Sequence, residues 1–300
     1  MKHQRVLVAT DLSEASDEAV RQAQLLAGDE GDLSAVYVIP RLATTGLDPL
    51  FPAGALQATL AVPDLESRAN IAVSERVSAI AHRDGTDVVV RMGVPEEEIV
   101  AAAAASRVTA VVVGSHGRTG LARMLLGSVA EKVARYATCD VLVARQAPAG
   151  AKPVVVVGTD LTESSDAALE VAIREAERRS ARLVAVHSIE DPHIAAYSEI
   201  AAAFGATALG PPPEFERDVN DALTSMLARR LAGSNVIAEA VVASGAPASA
   251  IVRVAERVGA SLLVVGTGKK SSLERLALGS VAEKIVRHAP CSVLVARHPS

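Results

Sequence analysis

Apolar positions along the chain keep two rhythms. Runs rich in β-branched residues read as strands apolar on both faces: Arg5 to Asp11, Leu33 to Ile39, Asp87 to Met92, Thr109 to Val113 and Val141 to Arg145. Between them the spacing changes to three and four. Ala19, Ala23, Leu26 and Ala27 predict a helix behind Ser13 and Ser16, which offer N-caps. Leu65, Ala69, Val73, Val77 and Ile80 predict a second, closed by Asp84 and Gly85. Gly93-Val94-Pro95 turns into a third, with Pro95 at its first position and Glu96, Glu97 and Glu98 as a solvated first turn. A fourth runs from about Ser128 to Tyr136. The stretch from Pro40 to about Pro63 keeps no period and reads as an irregular excursion.

After a linker from Gln146 to Pro153 the plan restarts. Val154 to Asp160 repeats the first strand and its acidic end, so Asp160 matches Asp11. Leu183 to His187 repeats the second strand, an excursion runs from Glu190 to Pro213, and a helix follows near Phe215 to Leu231. Strands Ile237 to Val242, Leu262 to Val265 and Val293 to Arg297, with the turn Gly245-Ala246-Pro247, complete the copy. Matched punctuation of this kind marks a duplicated domain, with halves at 1–148 and 149–300. Strands alternating with helices imply right-handed crossovers. The fold class is α/β: two tandem open, mainly parallel, Rossmann-like sheets covered on both faces.

Composition narrows the function. Half the 300 residues are hydrophobic, yet only 2% are aromatic and none is Trp, so the core must be aliphatic. The net charge of −5, without a basic stripe interleaved with aromatics, argues against nucleic-acid binding. Cys139 and Cys291 stand at matching places before the last strand of each half, and read as small buried residues of a reducing compartment. The residues before Val6 are too few for a signal segment and no run is long enough to span a bilayer, so a cytoplasmic protein without membrane contact is expected. The seven histidines are scattered with no H-E-x-x-H, so no metal site is assigned.

One stretch concentrates the chemistry. The strand ending at Val113 stops at Gly114, a loop carries Ser115, His116, Gly117 and Arg118, and Gly127-Ser128-Val129 opens the next helix. Ligands of open parallel sheets gather beyond the strands' C-terminal ends, where strand order reverses. Asp11 and Gly114 both stand there. Gly114 removes a side chain from the approach, Gly117 permits positive φ, and Gly127 leaves space beside Ser128. Ser128 can offer a hydroxyl and a helix-start N–H to a phosphate. The bland alternative is a set of turn glycines and an ordinary cap. His116 reads as an exposed loop residue, and Ser115 is no nucleophile elbow because it follows Gly114 directly. Arg118 and Arg123 are candidates to balance phosphate charge, with surface solvation the default.

The spacing Gly114-x2-Gly117-x9-Gly127-Ser128, the following Val129-Ala130-Glu131-Lys132 and the ending Cys139-x-Val141-Leu142-Val143-Ala144-Arg145 resemble the universal stress protein family. The resemblance covers nearly the whole chain as two tandem domains. It implies the adenine nucleotide α-hydrolase-like fold, and ATP, alone or with Mg2+, as cofactor. By similarity Asp11, with its neighbour Thr10, and Val38 would border adenine and ribose. Gly114, Gly117, Gly127, Ser128 and Val129 would hold ribose and phosphates. The resemblance also implies association through the last strand, here as an intrachain pseudo-dimer, with or without further homodimerisation. No catalytic residue is implied, and protein partners are left open.

The second copy departs. Asp160, Gly266, Gly279, Ser280 and Val281 keep their places, but Lys269 replaces the middle glycine, Gly268 stands one place early and Ser188 replaces Val38. A residue with a Cβ does not cheaply take positive φ, so altered or weakened binding is expected there, although Lys269 and Lys270 could contact phosphates. A Walker reading of Gly266 to Ser271 fails, because Leu263 stands where an earlier glycine is required. The functional expectation is a nucleotide-responsive stress or signalling module. The alternatives are a nucleotide-independent scaffold and a weak ATP-hydrolysing enzyme, the latter lacking an evident general base.

Overall fold

Strands apolar on both faces are stable only when helices cover the sheet above and below. The computed structural model shows that arrangement and describes residues 3–40, 65–116, 126–146, 153–190, 213–268 and 278–297. The first half comprises β1 (Arg5–Ala9), α1 (Glu14–Ala27), β2 (Asp32–Pro40), α2 (Leu65–Ala81), β3 (Asp87–Gly93), α3 (Pro95–Ala105), β4 (Ala110–Gly114), α4 (Ser128–Tyr136) and β5 (Asp140–Ala144). The second comprises β6 (Val154–Gly158), α5 (Glu163–Arg178), β7 (Arg182–Ile189), α6 (Pro213–Arg230), β8 (Ala238–Ser244), α7 (Pro247–Val258), β9 (Leu262–Gly266), α8 (Ser280–His288) and β10 (Ser292–Ala296). Residues 41–64 and 191–212, nearly all of both expected excursions, lie outside the described residues, as do 147–152 of the linker.

All ten strands form one sheet in the order β3-β2-β1-β4-β5-β10-β9-β6-β7-β8. Pairing is parallel within each half, as in Val6 with Leu33 on one side and Ala110 on the other. Strand alternation then feeds two cores. Val6, Val8, Ala110 and Val112 face α1 and α2, while Leu7, Val111 and Val113 face the layer of α3 and α4. Strand order reverses between β1 and β4, and again between β6 and β9.

The halves meet at the antiparallel pair β5 and β10, with Leu142 opposite Leu294. Each half there reaches into the other. The Arg145 guanidinium donates to the carbonyls of Val286 and Cys291, at 2.5 and 3.3 Å, so it covers the C-terminal end of α8. Arg297 does the same for α4, donating to the Ala134 carbonyl at 2.7 Å. A cation at a helix C-terminus satisfies orphan carbonyls and complements the dipole. Outside this pair, Arg135 meets Glu283 and Arg287 meets Glu131, both at 3.0 Å. The edge that the family resemblance assigns to association is therefore occupied within the chain. Cys139 and Cys291 are free, and burial pushes their thiols up to about 11 and about 12, so both stay protonated at neutral pH. No helix among the described residues is long and apolar enough to cross a membrane.

Candidate functional site

At the first reversal point the ends of β1, β2 and β4 and the start of α4 enclose a cavity of about 450 Å³. Its base is set by the turn that follows β1. Thr10 is buried, and its N–H donates to the Val36 carbonyl at 3.1 Å, tying the end of β1 to β2. The Thr10 hydroxyl pairs with that of Ser16 at 2.9 Å and accepts the Leu12 N–H at 3.1 Å. Asp11 Oδ1 accepts the Ser13 N–H at 3.1 Å and the Ser13 hydroxyl at 2.5 Å. These bonds hold Leu12 at φ 65°, a left-handed conformation costly for a leucine. Such strain persists where its surroundings over-determine it.

Three helices, α1, α3 and α4, begin at this cavity, and the starts of α1 and α4 differ. α1 is capped by its own Ser13, whose hydroxyl accepts the Ser16 N–H. α4 starts behind Gly127, which has no side chain to offer, and carries no side-chain cap. The first amides of a helix have no intrahelical acceptor, so an anion at α4 would complete what a cap supplies elsewhere. Ser128 and Val129 of that turn line the cavity, facing an aliphatic wall of Val36, Val38, Ile99 and Val113.

Of the expected first-half residues, Thr10, Asp11, Val38, Gly114, Gly127, Ser128 and Val129 all line this one cavity. Gly117, Arg118 and Arg123 lie outside the described residues. Two of these glycines also have an internal reason. A Cβ on Gly114 would sit 3.0 Å from the Ala15 carbonyl oxygen, so this glycine lets β4 approach α1. A Cβ on Gly127 would meet the Ser115 carbonyl at 3.3 Å, the same oxygen that accepts the Gly127 N–H at 2.8 Å. Both glycines therefore shape the loop around the cavity.

The exposed-loop reading of His116 is corrected. The residue is half-buried, its Nδ1 pairs with the Ser115 hydroxyl at 2.8 Å, and its Nε2 is shielded from solvent with no partner among the described residues. The solvated reading of Glu96 also fails: its side chain is 14% exposed and binds Lys132 of α4 at 2.5 Å. That bond, ahead of burial, holds the Glu96 carboxyl below its ordinary range. Tyr37, Pro40 and Ile99, which carried no motif, complete the wall with Pro95, which was read only as a helix start. Ile99 was legible only as the apolar position one turn into α3.

The second reversal point holds a smaller cavity of about 250 Å³. Asp160, Gly266, Gly279, Ser280 and Val281 line it, with Ser188 in the place of Val38. The turn is repeated closely: Asp160 Oδ1 accepts from Thr162, Thr159 pairs with Ser165 at 2.8 Å, and Leu161 takes φ 61°. The walls differ. The Ser188 hydroxyl donates to the Gly245 carbonyl at 2.5 Å, and the His187 ring pairs with the Thr159 carbonyl at 2.9 Å. A Cβ on Gly158 would lie 2.7 Å from Ile251 Cδ1, so Ile251 leans into space that Ala9 takes in the first half. The left-handed turn of this loop falls on Gly268, at φ 70°. Lys269 and Lys270 lie outside the described residues. Among the described residues no group of three His, Cys, Asp or Glu side chains could hold a metal.

Comparison with known proteins places this geometry. The chain is 34% identical over 201 residues to the universal stress protein Rv1996 of Mycobacterium tuberculosis, covering 64% of this chain and 60% of that protein. The match thus spans about three fifths of that relative's length. A universal stress protein of Mycolicibacterium smegmatis is 29% identical, with 97% of this chain and 96% of that one covered. The crystal structure of a universal stress protein from Archaeoglobus fulgidus shares the fold at a TM-score of 0.66 and 21% identity, covering 99% of this chain and 97% of that one. The model of the universal stress protein family matches residues 2–145 and again 153–297, so the chain belongs to that family as a tandem two-domain member.

Proposed function

We propose that the first half binds an adenine nucleotide, with ATP as the ligand, and that occupancy rather than turnover is the protein's output. The uncapped start of α4, opening on the larger cavity, carries this reading. It meets a negative group with convergent main-chain donors, while the aliphatic wall of Val36, Val38 and Ile99 suits a flat base. Any Mg2+ would come with the phosphate oxygens, as is usual for this ion.

A regulatory role is favoured over a hydrolytic one by the state of Asp11. Among the described lining residues it is the only carboxylate, and its Oδ1 is taken by both Ser13 donors. A general base needs a carboxylate turned to the attacking water.

Calorimetric titration of Ser128→Pro with ATP tests the reading. Ser128 is the first residue of α4, where proline is tolerated, and Gly127 before it sits at φ −67° and ψ 146°, which proline accepts. The substitution removes one amide donor and one hydroxyl without disturbing the helix. ATP affinity is expected to fall about tenfold or more, the worth of one bond to a charged group. Unchanged affinity, with the melting temperature also unchanged, would remove α4 from the site.

A further inference from the structure

The β8 edge of the sheet holds a cavity that belongs to neither strand reversal. About 430 Å³ in volume, it lies between the C-terminal end of β8 and α7, with Val242, Ala243, Ala250 and Val254 as its apolar part. Arg253 and Arg257 stand one helical turn apart on α7; both line the cavity and both are exposed. The Arg253 Nη2 donates to the Ser244 carbonyl at 2.9 Å, which fixes that guanidinium at the rim and leaves further N–H groups for a ligand. Arg257 has no ion-pair partner among the described residues. Among the described lining residues there is no carboxylate, and Glu239 of β8 is paired with Arg182 at 2.9 Å.

The first half shows what stands at this place when the chain fills it itself. The turns Gly93-Val94-Pro95 and Gly245-Ala246-Pro247 match, so Ala250 takes the place of Glu98, and Arg253 and Arg257 those of Ala101 and Ala105. A Cβ on Gly93 would lie 2.7 Å from Glu98 Oε1, and Gly93 is buried with that carboxylate against it, whereas Gly245 is exposed. One half thus carries a carboxylate at its turn without the arginines, and the other two arginines without the carboxylate. We propose that the cavity between β8 and α7 is a ligand site for a small aliphatic dicarboxylate. Its two charged ends meet Arg253 and Arg257, and its methylene stem lies on Ala250 and Val254. A guanidinium matches a carboxylate bidentately, and the helical turn between the arginines sets the separation of the two ends. The volume falls within the range of small-molecule sites, about 300–1,000 Å³. This site stands apart from the nucleotide reading and does not depend on it.

Titration of the whole chain with glutarate, followed by NMR at the amides of Ser244, Gly245 and Arg257, tests the proposal. Saturable shifts confined to β8 and α7 are expected. Monomethyl glutarate, which lacks one charge, and sulfate, too short to reach both arginines, should each bind about threefold to tenfold more weakly. Arg257→Gln should weaken glutarate by the same factor, a modest one because the side chain is exposed. Ala250→Glu returns the first half's carboxylate to the space and should abolish binding; Arg257→Gln, on an exposed face, decides the matter if that variant does not fold. No saturable shift, or equal affinity in wild type and Arg257→Gln, would overturn the proposal. Sulfate bound as tightly as glutarate would overturn it too, as would a tetraglutamate peptide that binds where glutarate does not. Added ATP should leave glutarate affinity unchanged, and competition between the two would contradict a separate site.

Discussion

The two halves share a frame and differ in their walls. In both, a threonine-serine pair and an aspartate build the same turn past the first strand, with a left-handed leucine at φ 65° or 61°. In both, a glycine-started helix points its uncapped end at the strand reversal. The first cavity has an aliphatic wall of Val36, Val38, Ile99 and Val113 and is also lined by His116, whose Nε2 has no partner among the described residues. The second is roughly half as large, 250 against 450 Å³, and its His187 and Ser188 side chains are bonded to backbone carbonyls. Duplication kept the turn and the helix start and changed the wall around them. The difference also shows at the seam, where Asp140 accepts the Arg297 N–H at 2.7 Å while its counterpart Ser292 accepts that of Arg145 at 3.0 Å.

The largest effect on stability should separate the two helix starts. A Cβ on Gly279 would meet the Thr267 carbonyl oxygen at 2.6 Å, against 3.3 Å for Gly127 and Ser115. Gly279→Ala should cost about 1–3 kcal/mol, as overpacking against backbone does, and Gly127→Ala well under about 1 kcal/mol. Thermal melts of the two variants check this, and equal costs would mean that the two loops are equally tight.

A smaller effect belongs to Asp140. Burial pushes its carboxyl up to about 6, from an ordinary value of 3.8. The folded chain then holds a proton that the unfolded chain has released between those values, so this group's contribution to stability declines as pH rises from about 4 through 6. Asp140→Asn, which keeps an acceptor for Arg297, should melt higher than wild type above pH 6 and match it near pH 4. A difference independent of pH would contradict the assignment.

The smallest effect is expected where the halves are most alike. Glu131 meets Arg287 at 3.0 Å and Arg135 at 3.7 Å, with side chains about a third exposed, so Glu131→Gln should cost less than about 1 kcal/mol. That cost should shrink further in high salt. Denaturant midpoints at low and high ionic strength measure it.

Much of this architecture was legible in the sequence, and the limits follow from what local pattern records. Period and punctuation register burial and chain reversal, so the strands, the duplication and the start of α4 at Ser128 could be read directly. They do not register what lies across a contact. Nothing in the neighbours of Gly114 reveals that Ala15 of α1 packs against it. His116 looked exposed because the hydroxyl that orients it and the shielding of Nε2 exist only in three dimensions. Leu12 gives no hint of positive φ, since its strain is imposed by Thr10, Asp11 and Ser16 around it. The joining of two sheets into one was open in the near-identical last strands, but the arginines that cross the seam were not. Glu175, 1% exposed and bonded to Arg178 and Arg179, has no signature distinguishing it from a solvated glutamate on α5.

The most direct test is the stoichiometry of ATP binding to the whole chain, measured by calorimetry for wild type, Ser128→Pro and Ser280→Pro. Gly279 precedes Ser280 at φ −68° and ψ 155°, so proline fits the second helix start as well as the first. One tight site per chain, weakened about tenfold or more by Ser128→Pro and untouched by Ser280→Pro, is the predicted result. Two equivalent sites, or a single site that only Ser280→Pro weakens, would contradict it.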